Sequence, residues 1–314
     1  MTTPTPPTSL VVAVLTYQRP DDLPELLPLL AAQANELRLQ TKVLVVDNDA
    51  GASARPAVEA LGLPEVHYVV EPQPGIAAAR NRALDEAKQA DLLVFIDDDE
   101  RPESRWLQHL LTTYEETQRP AAVAGAVVPH VGRIDDPWLT AGGFFTRQRH
   151  RSGSEQSAAS TANLLLDLRQ LGGIRFDERF SQTGGSDTMF TRTLVQRGGR
   201  IVWCDEAVVV DHIRNVRLSR AWVLQRHFRA GATNSRVAVA LARPMARLAT
   251  RVEWTARGMA RITLGGLRTG LGTLARNLGH QARGSRTLAR GVGMVAGAWG
   301  IRYVEYRRGA KRNL

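Results

Sequence analysis

The sequence has a single cysteine, Cys204, among 314 residues, and this excludes a disulfide within the chain. A lone thiol fits a protein of a reducing compartment. The first residues have no basic region followed by an apolar run, so they do not resemble a secretion signal. The longest uncharged run near the C-terminus, residues 291–301, is shorter than the roughly 20 apolar residues that span a bilayer. We therefore expect a protein that stays in the cytoplasm and has no transmembrane helix.

Acidic residues are scarce in the C-terminal third of the chain. From His212 to the end, 21 Lys and Arg residues face only two acids, Glu253 and Glu305, which gives a net charge of +19. The rest of the chain has a net charge of −9. A basic segment of this kind favours an anionic partner, either nucleic acid or the headgroups of a membrane.

The basic region has the composition of amphipathic helices. Residues 218–229 (LSRAWVLQRHFR) mix apolar and Arg side chains at helical spacing. Such helices lie in the headgroup plane, and Trp254, Trp299 and Tyr303 are suited to the interface. We expect residues 213–314 to form a basic amphipathic helical tail that holds the protein peripherally on the inner face of the cell membrane. The alternative is an ordinary solvated appendage.

Strands and helices alternate over residues 9–97. The runs at residues 10–15, 42–46, 66–70 and 92–97 are rich in β-branched and aliphatic residues, as expected for strands buried on both faces. Helical segments separate them, and turn residues such as Pro74 and Gly75 mark the boundaries. The pattern predicts an α/β fold whose sheet is mostly parallel, with helices on both faces. Residues 1–8 read as a disordered lead.

Carboxylates follow two of the predicted strands. Asp47 closes the second strand, and Asp97, Asp98 and Asp99 close the fourth. Because parallel strands end at one edge of a sheet, the two groups can face one ligand. Oxygen ligands suit a hard ion such as Mg²⁺ or Mn²⁺, which would grip a diphosphate. A solvated acidic turn is the plainer interpretation of the triplet alone.

Two further segments carry candidate chemistry. Gly75 precedes a helix that carries Arg80, and a glycine before a helix N-terminus lets an anion approach the backbone. Asp187 follows two glycines and precedes an apolar helix, so it reads either as a helix N-cap or as a base that takes a proton from an acceptor hydroxyl. Trp138 is expected in a loop where an acceptor could stack, and residues 140–160 read as a mobile loop.

Taken together, the motifs resemble those of family 2, the large inverting glycosyltransferase family with the GT-A (nucleotide-diphospho-sugar transferase) fold. The matching stretches span about residues 9–212 and are VVAVLTYQRPDDL, VLVVDND, EPQPGIAAARNRAL, LLVFIDDDERPESRWL, TANLLLDL, FDERFSQTGGSDTMFTRTL and AVVVDH. Within the family they look closest to bacterial exopolysaccharide enzymes of the succinoglycan type. The resemblance implies a catalytic domain over residues 9–212.

The resemblance also implies roles toward a nucleotide-sugar donor, most naturally a UDP-sugar. Thr16, Asp47 and Arg80 would bind the nucleoside, with Asp47 accepting a hydrogen bond from the uracil ring. Asp97 and Asp99 match the DXD pair, in which one acid reaches the ribose or a bridging water and the other the Mg²⁺ or Mn²⁺ ion.

On the acceptor side, Asp187 matches the last acid of the family's GGED-type motif, which is the general base. Ser186 stands where the family usually has Glu, so the role of that Glu is in doubt here. His212 matches a histidine that the family often has near the metal or the diphosphate. The acceptor implied is a saccharide carried on a polyprenyl diphosphate, which agrees with a basic tail at an anionic membrane.

Two other function classes fit parts of the sequence. A sugar nucleotidyltransferase shares the fold, but it would need a glycine- and lysine-rich phosphate loop after the first strand, where this chain has TYQRPDDL. A non-enzymatic nucleic-acid or polyanion binder would explain the net charge of +10. The acidic front half would repel phosphates, however, so no nucleic-acid partner is expected.

Overall fold

A computed structural model of the chain describes residues 5–181 and 183–301. The strands are β1 (Ser9–Thr16), β2 (Gln40–Asp47), β3 (Val66–Val70), β4 (Leu92–Asp97), β5 (Glu100–Pro102), β6 (Ala122–Val131), β7 (Asn163–Asp167) and β8 (Ile201–Ile213). The α-helices are α1 (Leu23–Asn35), α2 (Arg55–Glu59), α3 (Ile76–Glu86), α4 (Trp106–Glu116), α5 (Pro137–Gly142), α6 (Ser186–Gln196), α7 (Arg220–Leu241), α8 (Arg247–Leu274) and α9 (Leu278–Ala298). The predicted alternation over residues 9–97 is confirmed.

In the described residues, the strands form one eight-stranded sheet in the order β3-β2-β1-β4-β7-β6-β8-β5. The first four strands are parallel, because a helix returns the chain between each successive pair. In contrast, β7 runs antiparallel to β4 and β6, and β5 runs antiparallel to β8. The α/β fold is confirmed, but the sheet is mixed rather than mostly parallel. Strand direction in the second half depends on long-range pairings that local sequence patterns do not report.

Both faces of β1 are buried, which explains its unbroken apolar run. Val12 packs in one core cluster with Leu26 of α1, and Ala13 packs in the opposite cluster with Ala79 of α3. Burying one aliphatic side chain contributes about 1.5–3 kcal/mol, so helices on both sides hold the strand tightly. The central strands therefore hold the polar side chains at their ends in fixed positions.

The chain divides into two compact units. Of the described residues, the first unit holds 5–129, 147–181 and 186–212, and the second holds 130–146, 183–185 and 213–301. Thr8 belongs to the expected lead, yet its backbone N–H donates to Asp91 at 2.7 Å. Residues 1–4 of that lead and Tyr303 of the tail lie outside the described residues. The assignment of residues 9–212 to catalysis and 213–314 to a tail stays a prediction.

The second unit is helical. The expected helix at residues 218–229 is confirmed as the start of α7, which Ser219 caps by accepting from the N–H of Trp222. Trp138 is 5% exposed within α5, and its ring centroid lies 5.0 Å from that of Phe144. The expectation of Trp138 in an open loop is therefore wrong. Among the described helices, none is both long and apolar enough to cross a bilayer.

The segment expected to be a mobile loop, residues 140–160, has partial order. It begins inside α5, and the backbone at residues 153–156 hydrogen-bonds to the backbone of β8 at residues 201–203. The N–H of Gly153 donates to the carbonyl of Trp203 at 2.8 Å. This segment carries Arg147, which is a functional candidate that the sequence analysis missed.

Candidate active site

The parallel strands bring the predicted donor residues to one edge of the sheet. In the ladder register, Thr16 of β1 lies beside Asp47 of β2, and Leu15 lies beside Asp97 of β4. The Thr16 side chain is buried at this edge of the sheet. The expected meeting of the two acidic strand ends therefore has a physical basis in the register.

The acidic turn after β4 is a cluster of carboxylates that repel one another. Burial and repulsion from Asp99 raise the pKa of Asp97 from 3.8 to about 6, and burial likewise raises the pKa of Asp98 to about 6. The Nη1 atom of Arg19 lies 3.0 Å from Oδ1 of Asp98 and 3.1 Å from Oδ2 of Asp99. One nitrogen thus bridges two carboxylates, as a small cation would. The local sequence around Arg19 does not predict this role.

A second basic side chain, that of Arg147, acts on the acidic turn. Glu100 is almost fully buried, accepts a hydrogen bond from the N–H of Asp97 at 3.2 Å, and has a pKa raised well above 4.5 by burial. It pairs with Asp211 in the β5–β8 ladder, and Arg147 Nη2 lies 2.7 Å from Oδ2 of Asp211. The charge of Arg147 also lowers the pKa values of Asp97 and Glu100. Arg147 therefore offsets part of the negative charge that the turn accumulates.

Asp47 is fully buried and already bound within the chain. Its Oδ1 accepts from the N–H of Asp49 at 3.0 Å, and its Oδ2 accepts from the N–H of Ala54 at 2.9 Å and from the hydroxyl of Tyr68 at 2.7 Å. Burial and this contact raise the pKa of the Tyr68 hydroxyl. The Arg55 guanidinium lies 4.8 Å from the Tyr68 ring. Asp47 clearly fixes the turn after β2, and its contact with a nucleobase stays a prediction.

Asn48, which the sequence analysis did not single out, shapes the entry to α3. Its amide donates to the carbonyls of Glu71 and Gln73 at 2.9 and 2.7 Å, and its Oδ1 accepts from the N–H of Gly75 at 2.9 Å. Gly75 has φ +129°, and a Cβ there would lie 2.6 Å from Cβ of Ser181. Position 75 therefore requires glycine. The hydrogen bond from Gly75 to Asn48, which directly follows β2, holds the N-terminus of α3 in place.

Arg80 of α3 points into the first unit and not into solvent. It is 9% exposed, its Nη1 donates to Oγ of Ser186 at 2.5 Å, and its guanidinium carbon lies 5.5 Å from the Phe176 ring centroid. Its Nε has no hydrogen-bond acceptor among the described residues. The positive charge lowers the pKa of Asp97. Arg80 is therefore a buried side chain and not a solvated residue on the outer face of α3.

Asp187 lies close to the acidic turn. Its negative charge is among the causes that raise the pKa of Asp97, so the predicted base and the predicted donor-site acid lie within electrostatic range. The helix α6 begins at Ser186, which places Asp187 inside the first turn, and its Oδ1 accepts from the N–H of Thr188 at 2.7 Å. Asp187 is therefore not the N-cap that the sequence also allowed. Its side chain is half buried.

His212 is an exposed residue on β8 between the buried Asp211 and Ile213. His212 directly follows Asp211, which pairs with Glu100 at the end of the β5–β8 ladder. In residues 5–181 and 183–301, no group of three or more His, Cys, Asp or Glu side chains is arranged to hold a metal ion. The oxygens of Asp97 and Asp99 nevertheless fit a hard divalent ion that keeps water and diphosphate oxygens as its other ligands. The mutual repulsion of these two carboxylates also favours such an ion.

Comparison with known proteins supports one family. The chain is 38% identical over 231 residues to the succinoglycan biosynthesis protein ExoM of Rhizobium meliloti (strain 1021), which covers 72% of this chain and 74% of that protein. It superposes on the mannosyltransferase PcManGT of Pyrobaculum calidifontis, solved with GDP-Man and Mn²⁺, with a TM-score of 0.58 at 18% identity over 93% of this chain and 87% of the other. It also superposes on S. aureus TarS 1-349 in complex with UDP, with a TM-score of 0.52 at 15% identity over 90% of each chain.

These structural likenesses establish the fold alone, and it is the GT-A fold that the sequence predicted. The sequence match is stronger evidence of kinship. Residues 11–167, which include β1 to β7 and the acidic turn, match the family described as Glycosyl transferase family 2. The Rhizobium relative adds 38% identity over 231 residues. The chain belongs to glycosyl transferase family 2, and the protein is a glycosyltransferase.

Proposed function

We propose that this glycosyltransferase moves a sugar from a UDP-sugar, with inversion, to a hydroxyl of a saccharide carried on a polyprenyl diphosphate, in exopolysaccharide or cell-surface polysaccharide biosynthesis. The observation that supports it most is the convergence of Asp97, Asp99, Arg80 and Asp187 in the first unit. The name of the Rhizobium relative and the UDP bound to the TarS neighbour favour this substrate class.

Asp187 is the proposed general base. Inversion requires a group that takes the acceptor proton on the face opposite the leaving diphosphate, and a carboxylate can do this. Asp187 is half buried and lies within electrostatic range of Asp97, so an acceptor hydroxyl between them would meet both sides of the site. Positioned proton transfer typically contributes about 10²–10⁴-fold in rate.

Asp97, Asp99 and Arg80 are the proposed donor site. A bound Mg²⁺ or Mn²⁺ would supply charge neutralisation for the departing diphosphate. Asp99 would hold this ion with Asp97 beside it, and His212 is a further candidate ligand. The buried positive charge of Arg80 would be available to the donor, because its partner in the chain is a neutral hydroxyl. Thr16 and Asp47 complete the proposed nucleoside side.

The tail is the proposed membrane contact. Residues 213–301 carry 16 Arg residues and one acid, Glu253. Each basic residue near an anionic surface contributes about 1 kcal/mol, so a few of them suffice for peripheral binding. We infer that the enzyme works on the inner face of the cell membrane, where a polyprenyl-linked acceptor would be held.

A panel of nucleotide sugars tests the donor assignment through thermal stability. A ligand that binds only the folded state raises the melting temperature, and a hundredfold excess over Kd contributes about 2.7 kcal/mol. We expect UDP-sugars with Mn²⁺ to stabilise the enzyme, and EDTA to remove most of the effect. Stabilisation by GDP-sugars alone, or by none of the panel, would overturn the UDP assignment.

A further inference from the structure

One side of α8 carries three buried glycines and packs closely on α9. Gly258, Gly265 and Gly272 are buried at seven-residue spacing. A Cβ on Gly265 would lie 2.5 Å from the backbone N of Leu288, and one on Gly272 would lie 2.6 Å from the backbone N of Gln281. Because no side chain fits between the two backbones, this side of α8 is fixed against α9 and the opposite side is fixed outward.

The opposite side of α8 is apolar and exposed. It has seven large hydrophobic residues that are each more than half exposed, which we call the α8 apolar face: Leu248, Val252, Met259, Leu264, Leu267, Leu271 and Leu274. At about 100° per residue they fall within an arc of about 160°, centred opposite the glycines. The helix is about 42 Å long, so the face is a continuous stripe and not a scatter of single residues.

Basic side chains border this stripe. On the helical wheel, Arg257 and Arg268 lie within about 40° of one edge of the α8 apolar face, and Arg251 lies about 60° beyond the other edge. Glu253, the acid of α8, lies inside this arc near the edge at Arg257, and its carboxylate lies 2.6 Å from the Arg257 guanidinium. Arg251 also lies over the half-exposed Trp299, whose indole N–H donates to Thr255. An apolar stripe with cationic edges and an aromatic at its border has the pattern of a helix that lies in a lipid interface.

We propose that the α8 apolar face inserts into the headgroup region of an anionic membrane, with α8 parallel to the surface and α9 on its protein side. The proposal rests on the membrane association proposed above and assigns it to one surface. The leucines enter the boundary of the acyl chains, while the arginines at both edges reach phosphate groups. The positive charge beside the face favours an anionic bilayer over a second copy of the chain, because a face-to-face dimer would bring two sets of arginines together.

The first experiment compares two double variants of the full chain. Leu267→Gln with Leu271→Gln removes apolar area from the centre of the face and leaves every arginine in place. Leu29→Gln with Val216→Gln is the matched control, because these exposed apolar residues lie elsewhere. We expect the face variant to bind vesicles of phosphatidylglycerol and phosphatidylcholine at least about tenfold more weakly than wild type, and the control to bind equally. Melting temperatures of the free proteins should agree, since all four positions are solvent-exposed.

Salt separates insertion from simple attraction. The wild type should keep part of its vesicle binding near 1 M salt, where the screening length is about 3 Å, and the face variant should lose that part. If the wild type binds no vesicles, the membrane part of the proposed function falls with this inference. If it binds and the face variant binds equally, only the α8 assignment falls.

A dye on each side of α8 resolves the orientation. Cys204 is fully buried, so an environment-sensitive thiol dye can be directed to Leu267→Cys on the face or to Arg261→Cys away from it. On anionic vesicles, the emission of the dye at position 267 should shift to the blue and resist an aqueous quencher, and the dye at 261 should do neither. Equal responses would overturn the orientation. Wild-type dimers without vesicles that the double Gln variant abolishes would show that the face joins two copies instead.

Discussion

The guanidinium of Arg80 donates to the hydroxyl of Ser186 at 2.5 Å, and both side chains are buried. The related motif usually has Glu at the position of Ser186, and a Glu there would give the buried cation an ionic partner. With serine, the charge of Arg80 stays uncompensated by this neighbour and acts on Asp97. A buried cation whose hydrogen-bond partner is a neutral hydroxyl is costly, and a bound diphosphate would relieve that cost.

Ser186→Ala should therefore weaken the free enzyme more than an ordinary Ser→Ala change. It leaves the Arg80 Nη1 without its acceptor, which costs about 1–3 kcal/mol of unfolding free energy. Urea denaturation measures this, with Ser285→Ala of α9 as the control helical serine. Saturating UDP and Mn²⁺ should recover part of the loss. An unchanged midpoint for Ser186→Ala would show that the hydrogen bond contributes little.

Asp187→Asn should separate chemistry from binding. The amide keeps the size of the side chain but cannot take a proton, so transfer should fall by about 10²–10⁴-fold. Donor binding and the melting temperature should change little, since Asp187 is half buried and hydrogen-bonds only locally. Turnover with a competent acceptor is the readout, and Asp135→Asn, a change at an exposed acid, is the control. Normal turnover by the variant would assign the base to another residue.

The pH dependence of stability should report Asp97. Its pKa is raised from 3.8 to about 6, so the folded protein holds a proton between these values that the unfolded chain releases. This group therefore stabilises the fold below about pH 4, and the contribution is lost as pH rises through about 6. Asp97→Asn is neutral throughout, so its stability relative to wild type should rise by about 1–3 kcal/mol between about pH 4 and pH 7.

Urea denaturation in EDTA across this range measures the Asp97 effect without a bound ion. Asp21→Asn serves as the control, because Asp21 is an exposed acid before α1. Its curve should run parallel to that of wild type. A difference between Asp97→Asn and wild type that does not vary with pH would mean that the Asp97 carboxyl titrates normally.

Arg19→Gln should make the acidic turn a better cation site. Arg19 bridges Asp98 and Asp99 and lowers the pKa of Asp98, so its removal takes away one positive charge that competes with a metal ion for these carboxylates. We expect Mn²⁺ alone to bind the variant about tenfold more tightly than wild type, as measured by the loss of the free-ion signal in electron paramagnetic resonance. Arg19→Lys keeps the charge and should resemble wild type. Weaker Mn²⁺ binding in Arg19→Gln would show that Arg19 organises the site and does not compete for it.

The sequence predicted the parts of the site that depend on local pattern. Apolar runs that end in Asp47 and Asp97 defined two strand ends, and the parallel register of β1, β2 and β4 brings them to one edge as expected. The helix that carries Arg80 began where its preceding glycine indicated. These features follow from hydrophobic periodicity and turn chemistry within about 15 residues of chain.

The sequence did not predict what depends on distant partners. Arg147 contacts Asp211, which lies 64 positions further along the chain. Glu100 pairs with Asp211 in an antiparallel ladder, and no strand–helix–strand pattern in the sequence predicts this pairing. The sequence predicts Trp138 in a loop, but its burial depends on Phe144 and on the guanidinium of Arg220, 5.3 Å from its ring. The exposed stripe of α8 became recognisable only when glycine packing fixed which side faces α9.

The proposed donor site depends most on a divalent ion that joins the acidic turn to a nucleotide diphosphate. Isothermal titration of UDP into the full chain, with Mn²⁺ or with EDTA, tests this directly in wild type, Asp99→Asn and Asp187→Asn. We predict binding with Mn²⁺ to wild type and to Asp187→Asn, and at least about a tenfold loss in EDTA or in Asp99→Asn. Equal UDP affinity in all of these conditions, or no affinity in any, would contradict the donor site.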